Sequence, residues 1–274
     1  MAEILRSALS SRLEVLECRP AIESDRPTVL FVHGAYAGAW TWAEHFMPHF
    51  AAHGFPSYAV SLRGHGESAG REALEWHSLR DYVDDVEETI DALEDAPVLV
   101  GHSMGAMVAM KYLERAAVPA AAFLAPVPPQ GLFSASLALA FARPGLFAEL
   151  NGLLASGRAS LDAMHKALFA GPVPADQLLG YYARFQRESP RAIWDMTFFN
   201  LPQRWRMQRA PMLALLAERD ALFPSEQSLA GFGAFGVEAE VLDELGHAMM
   251  LEPGWQRAAD RLLEWLGGQN PPLR

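Results

Sequence analysis

A chain of 274 residues, 51% hydrophobic and 20% charged, is long enough for one large α/β domain or for that domain plus a modest insertion. Its formal net charge of −11 repels phosphate backbones and anionic headgroups, which argues against nucleic acid and acidic membranes as partners. The single cysteine, Cys18, excludes an intramolecular disulfide.

At the N-terminus, Glu3, Arg6, Arg12 and Glu14 interrupt any signal-peptide core. The longest apolar stretch, Ala116 to Pro129, carries four prolines and is too short to span a bilayer. The expectation is a cytoplasmic protein without stable membrane insertion. The run "LEVLECR" from Leu13 alternates and reads as an antiparallel edge strand. "TVLFV" from Thr28 is the first of a series of apolar, strand-like runs, and it ends in the glycine-bearing loop "HGAYAGAW". In "EHFMPHFAAH", His45, His49 and His53 recur at helical spacing like metal ligands. Pro48 inside the helix and Glu44 off the histidine face favour a solvated or half-buried face instead.

"PSYAVSL" from Pro56 reads as the next strand. "SLRDYVDDVEETIDALED" reads as a helix whose Leu79, Tyr82, Val86, Ile90 and Leu93 form the apolar stripe. Its acidic residues, Asp81, Asp84, Asp85, Glu87, Glu88 and Asp91, are assigned to the wet side. "PVLVG" from Pro97 and "AAAFLA" from Ala120 are strands flanking the helical "AMVAMKYLER". From Val127 to Arg209 the rhythm breaks. Leu, Phe, Met and Ala recur at helical spacing between Pro144, Gly145, Gly171, Pro172, Pro174 and Pro190, and no strand fits. "MLALLA" from Met212 and "EAEVLD" from Glu238 complete the series. Strands alternating with amphipathic segments specify a mainly parallel twisted sheet with helices on both faces, interrupted by an all-helical insertion.

Between the third of these strand-like runs and its helix stands "GHSMG", in which Gly101 and Gly105 bracket Ser103. G-x-S-x-G at a strand-to-helix turn is the sequence form of a nucleophile elbow. A serine hydroxyl is a weak nucleophile and needs a base, a group to orient the base, and donors for the oxyanion. His247 follows the last strand, at the carboxyl end where open α/β sheets collect their chemistry. Past "MLALLA", Asp220 is the candidate orienting acid and Glu218 the reserve, while Asp243 and Glu244 are near His247 only in sequence. His102 is expected to pack beside the strand end. The backbone N–H groups of Met104 and Ala35 are the candidate oxyanion donors. Gly34 and Gly38 let the Ala35 loop approach a reacting carbonyl.

Taken in order, "VHGAYAGAW", "LRGHGES", "GHSMGA", "ERDALFP" and "GHAMMLEP" resemble the α/β-hydrolase fold superfamily, from Thr28 to the C-terminal helix. The resemblance implies a core domain of residues 1–126 and 210–274 with a helical cap, or lid, of residues 127–209. It implies Ser103 as nucleophile, His247 as base then acid, and Asp220 as orienter. Ala35 and Met104 would form the oxyanion hole, with no metal and no cofactor. A serine at position 103 argues against the dehalogenase branch, which carries aspartate there. The loop motifs are similar to plant methylesterases and hydroxynitrile lyases. Ala248 stands where the lyases place a lysine. Carbon–carbon bond hydrolases, enol-lactone hydrolases and perhydrolases share the same residues, and some members bind ligands without turnover.

The expected reaction is hydrolysis of a small or medium hydrophobic carboxylic ester through an acyl-enzyme. The large apolar side chains of the insertion either line an acyl pocket or pack the insertion onto the sheet. Arg204, Arg206 and Arg209 are read as surface arginines.

Overall fold

The computed structural model describes residues 3–156 and 160–269. Eight strands form one sheet: β1 (Ile4–Arg6), β2 (Glu14–Cys18), β3 (Val29–Val32), β4 (Ser57–Ser61), β5 (Val98–His102), β6 (Ala121–Leu124), β7 (Met212–Ala217) and β8 (Glu238–Leu242). Their order is β1-β2-β4-β3-β5-β6-β7-β8, antiparallel from β1 to β4 and parallel from β4 to β8. The runs read as strands are these strands to within a residue or two. One reading needs correction. "LEVLECR" is antiparallel, but β1 pairs outside it, Ile4 opposite Cys18, so β2 is not the edge. The three residues of β1 are half-buried or exposed and carry too little apolar pattern to announce a strand.

Eleven α-helices lie among the described residues. α1 (Trp40–Ala43) and α2 (Phe46–Ala52) follow β3, α3 (Leu79–Asp91) follows β4, and α4 (Met104–Tyr112) follows β5. Between β6 and β7 stand α5 (Leu132–Ala142), α6 (Pro144–Ser156), α7 (Leu161–Leu168), α8 (Ala175–Arg184) and α9 (Pro190–Trp194), the last running into a π-turn over Asp195–Phe199. The described part of this insertion contains no strand. α10 (Ser225–Ala234) joins β7 to β8, and α11 (Gln256–Gly267) closes the chain.

Strands β3 to β7 are buried along their whole length, because helices cover both faces of the sheet. One face packs against Leu79, Tyr82 and Val86 of α3, Met107 of α4 and Phe232 of α10. The other packs against Trp42, Phe46 and Phe50 of α1 and α2 and Leu262 and Leu266 of α11. There Phe31 of β3 stacks on Trp42 with ring centroids 4.6 Å apart.

α3 begins at a capping box, in which the Ser78 hydroxyl accepts from Asp81 N and the Asp81 carboxylate accepts from Ser78 N. Its acidic face is not all wet. Asp85 is fully buried and accepts from Arg63 N at 2.8 Å and from the Arg63 guanidinium at 2.7 and 2.9 Å. A buried carboxylate persists only with such charge-assisted partners. Those partners come from the loop after β4, which helical periodicity cannot reveal.

Candidate active site

Gly101 and Gly105 of the elbow answer to packing. A Cβ on Gly105 would overlap the carbonyl oxygens of Val32 and His33, and one on Gly101 would overlap the Gly105 carbonyl. Only with both side chains missing does α4 sit this close to β3 and β5. The turn places Ser103 at φ 52°, ψ −115°, a strained conformation for a residue with a side chain. The side chain is thereby held out past the carboxyl end of β5.

His247 arrives from the loop after β8, with its Nε2 3.0 Å from Ser103 Oγ and its Nδ1 2.9 Å from Asp220 Oδ2. A carboxylate facing Nδ1 puts the ring proton there and leaves Nε2 as an acceptor for the serine hydroxyl. Asp220 is locked in turn, because its other oxygen accepts from Leu222 N at 2.8 Å and Phe223 N at 3.0 Å. All three side chains are buried. The reserve acid points elsewhere: Glu218 is half-exposed and accepts from Glu244 N. Asp243 and Glu244 make no contact with the imidazole; Glu244 pairs with Arg257.

His102 packs beside the strand end, buried, with its Nε2 2.9 Å from the His247 carbonyl oxygen. Burial drives its pKa well below the ordinary value, so it is a neutral donor that pins the His247 backbone. The loop from Gly34 to Gly38 lies against the elbow. A Cβ on Gly34 would stand 2.7 Å from His102 Nδ1 and 3.1 Å from Ser103 Cβ. Ala35 and Met104 both border the cavity beside Ser103, and among the described residues neither N–H has an acceptor. Two free donors beside a serine are what a developing oxyanion requires.

The cavity has a volume of about 1090 Å³. Its floor includes Ser103 and His247; its walls include Leu132, Leu139, Phe147, Met164, Ile193 and Phe198 from the insertion. Other apolar residues of the insertion do neither job expected of them. Phe133, Leu137 and Phe141 of α5 are exposed. Arg204 and Arg206 bind the Phe235 carbonyl and Glu114, and neither they nor Arg209 border the cavity. Of the spaced histidines, His49 meets Asp260 at 2.7 Å, His53 bonds the His49 carbonyl and His45 stacks on Trp255.

Two buried carboxylates near the site were not legible as functional. Glu252 accepts from Gly246 N at 2.9 Å and from Ala170 N of the insertion at 2.6 Å, so it holds the His247 loop. Glu188 reaches from the insertion to Tyr36, next to Ala35. The motif "GHAMMLEP" contained the first; nothing local marked the second.

The sequence model of the alpha/beta hydrolase family matches residues 29–261. The chain belongs to that family. It is 26% identical over 264 residues to a monoacylglycerol lipase of Mycolicibacterium smegmatis, covering 88% of each chain. The fold is similar to that of an esterase from Exiguobacterium antarcticum, with a TM-score of 0.72 at 18% identity, covering 97% of this chain and 99% of that one. It is also similar to carboxylesterase CesB from Bacillus subtilis, with a TM-score of 0.70 at 18% identity over 98% and 93% of the two chains.

Proposed function

We propose that this family member is a serine hydrolase that cleaves carboxylic esters of small or medium hydrophobic acyl groups. The observation that carries the reading is the hydrogen-bonded line from Asp220 through His247 to Ser103, opening onto an apolar cavity beside two free N–H groups. The monoacylglycerol lipase relative and the esterase fold neighbours support the same bond type.

Ser103 Oγ attacks the acyl carbon while His247 Nε2 takes its proton, and the C–O⁻ of the tetrahedral adduct accepts from Ala35 N–H and Met104 N–H. Asp220 stabilises the imidazolium and holds the ring. The adduct expels the alkoxide, which leaves as alcohol with the proton from His247. Water, deprotonated by His247, then attacks the acyl-enzyme, and the acid departs as Ser103 regains its proton. The scheme uses no metal or cofactor.

Residues 127–209 act as a cap that supplies most of the apolar wall. With 1090 Å³ available, the cap side accommodates a chain longer than acetyl, and desolvating that chain contributes about 0.8 kcal/mol per methylene. The single, unpaired and buried Cys18 fits the cytoplasmic location that we propose.

A panel of p-nitrophenyl esters from acetyl to lauroyl, with a lactone and a β-diketone beside them, tests the reading. It expects kcat/KM to rise from acetyl to a medium chain, and a fluorophosphonate to label Ser103. Absence of both turnover and labelling would leave a ligand-binding protein. Preferential cleavage of the diketone would move the reaction to carbon–carbon bonds.

A further inference from the structure

The motif "LRGHGES" has no part in the relay, yet its central residue, His65, is completely buried beside the cap. His65 Nδ1 lies 3.2 Å from the Arg63 carbonyl oxygen, and Nε2 lies 3.1 Å from Glu188 Oε2, an ion-pair contact outside hydrogen-bond geometry. A carboxylate oxygen this close to Nε2, with a carbonyl accepting from Nδ1, favours the imidazolium by charge attraction. Its neighbour His33, with ring centroid 5.2 Å away, is the opposite case: Nδ1–H donates to Gly34 O while Nε2 accepts from Leu62 N, so that ring is neutral. Burial, and then the charge on His65, push its pKa down to about 3.

Glu188 is therefore an ionised, buried carboxylate on the cap. Oε1 accepts from Tyr82 OH at 2.6 Å and Ser189 N at 2.7 Å, and Oε2 accepts from Tyr36 N at 3.2 Å. Two residues earlier, Gln186 N donates to Tyr36 O at 2.8 Å, while Gln186 Oε1 accepts from Gly66 N. The cap segment thus grips the Tyr36 residue by both its N–H and its C=O. Tyr36 has φ 65°, a left-handed conformation that a residue with a side chain keeps only when its surroundings hold it there. The preceding residue is Ala35, which borders the cavity and whose N–H has no acceptor among the described residues.

We propose that Glu188, charged and paired with His65, is the positioning residue of the oxyanion hole: docking of the cap locks Tyr36 and thereby aims the Ala35 N–H at the developing oxyanion. This rests on the esterase reading above and deepens it. The hole is complete only while residues 186–189 are docked, which links closure over the substrate to competence for acylation.

Glutamine cannot replace this carboxylate. Donors face both oxygens, so an amide NH₂ must oppose either Tyr36 N–H or Ser189 N–H. For Glu188→Gln we expect kcat on p-nitrophenyl butyrate to fall 10- to 100-fold with KM within threefold. Affinity for butylboronic acid, whose tetrahedral adduct occupies the hole, should fall in parallel. Binding of 1-hexanol, which fills the pocket without an oxyanion, should not change. Asp195→Ala removes a different cap-to-core bond, Leu79 N to Asp195 Oδ2, and should lower Tm with kcat kept within threefold.

Unchanged kcat in Glu188→Gln overturns the proposal, as does loss of hexanol and boronate binding together, or an equal kcat loss in Asp195→Ala. If the glutamine variant does not fold, Glu188→Asp carries the same comparison, and its full kcat would equally overturn the proposal. A wild-type protein that neither turns over esters nor binds the boronate would instead fail the esterase reading itself.

Discussion

Asp220→Asn isolates the orienting role proposed for the acid, because the site dictates how the amide must sit. Oδ1 of Asp220 is held by the Leu222 and Phe223 N–H groups, so the asparagine oxygen takes that place and its NH₂ takes the place of Oδ2. The NH₂ then faces His247 Nδ1, which must become the acceptor, and the ring proton moves to Nε2, facing Ser103. A protonated Nε2 cannot take the serine proton. The loss expected from such a tautomer reversal is about 10⁴ in kcat, or about 5.5 kcal/mol of transition-state stabilisation at 1.36 kcal/mol per tenfold. The hydrogen bonds of the side chain persist in number, so Tm should move by no more than about 4 °C. Initial rates on p-nitrophenyl butyrate measure the effect, with Ser103→Ala as the floor and Glu218→Gln as the control that keeps full activity. An asparagine variant within tenfold of wild type, beside an inactive Ser103→Ala, would refute the reasoning; a large loss in Glu218→Gln would move the acid to that residue.

Ser103→Gly and Ser103→Ala should both be inactive, but glycine relieves the backbone strain at φ 52° that alanine retains; calorimetry should find the glycine variant more stable by about 1 kcal/mol. Glu252 shows the opposite preference to Glu188: burial pushes its carboxyl pKa up, against the two amides on Oε1, so its charged form carries a cost that grows as pH rises through the usual carboxylate value. Glu252→Gln keeps an oxygen for both amides and should match or exceed wild-type Tm at pH 7, whereas Glu252→Ala should lose both Tm and kcat by freeing the His247 loop. For the buried pair, burial opposes both charges, but the mutual attraction and the hydrogen bonds win: the Glu188 pKa is held below and the His65 pKa above their ordinary values. The Glu188 contribution is lost as pH falls through its lowered value, and the His65 contribution is lost as pH rises through its raised one. The other groups facing the pair are neutral His33, Tyr36 and Tyr82, both pushed far to the alkaline side by burial first and Glu188 second, and the positive charge of Arg71. The Tm advantage of wild type over Glu188→Gln should be widest from about pH 4.5 to 6.5 and narrow on either side; a gap that widens steadily to pH 9 would contradict the assignment.

Several parts of the molecule were legible one residue type at a time. Met212–Ala217 was legible as a strand, and the glycines bracketing Ser103 as the frame of a strand-to-helix turn. Because those strands run parallel, residues just past β5, β7 and β8 share one rim, and the sequence positions of Ser103, Asp220 and His247 relative to the runs were enough to bring them together on paper. Hydrophobic runs and missing Cβ atoms are local signals, set by each segment's own burial. The polar residues that lock the site are of another kind. Asp85, Glu188 and Glu252 look like any acidic residue until Arg63, His65, the Tyr36 and Gly246 amides and the cap arrive from elsewhere in the chain. Whether a carboxylate is solvated or buried is decided by partners up to 152 residues away, and only the docked tertiary structure supplies them.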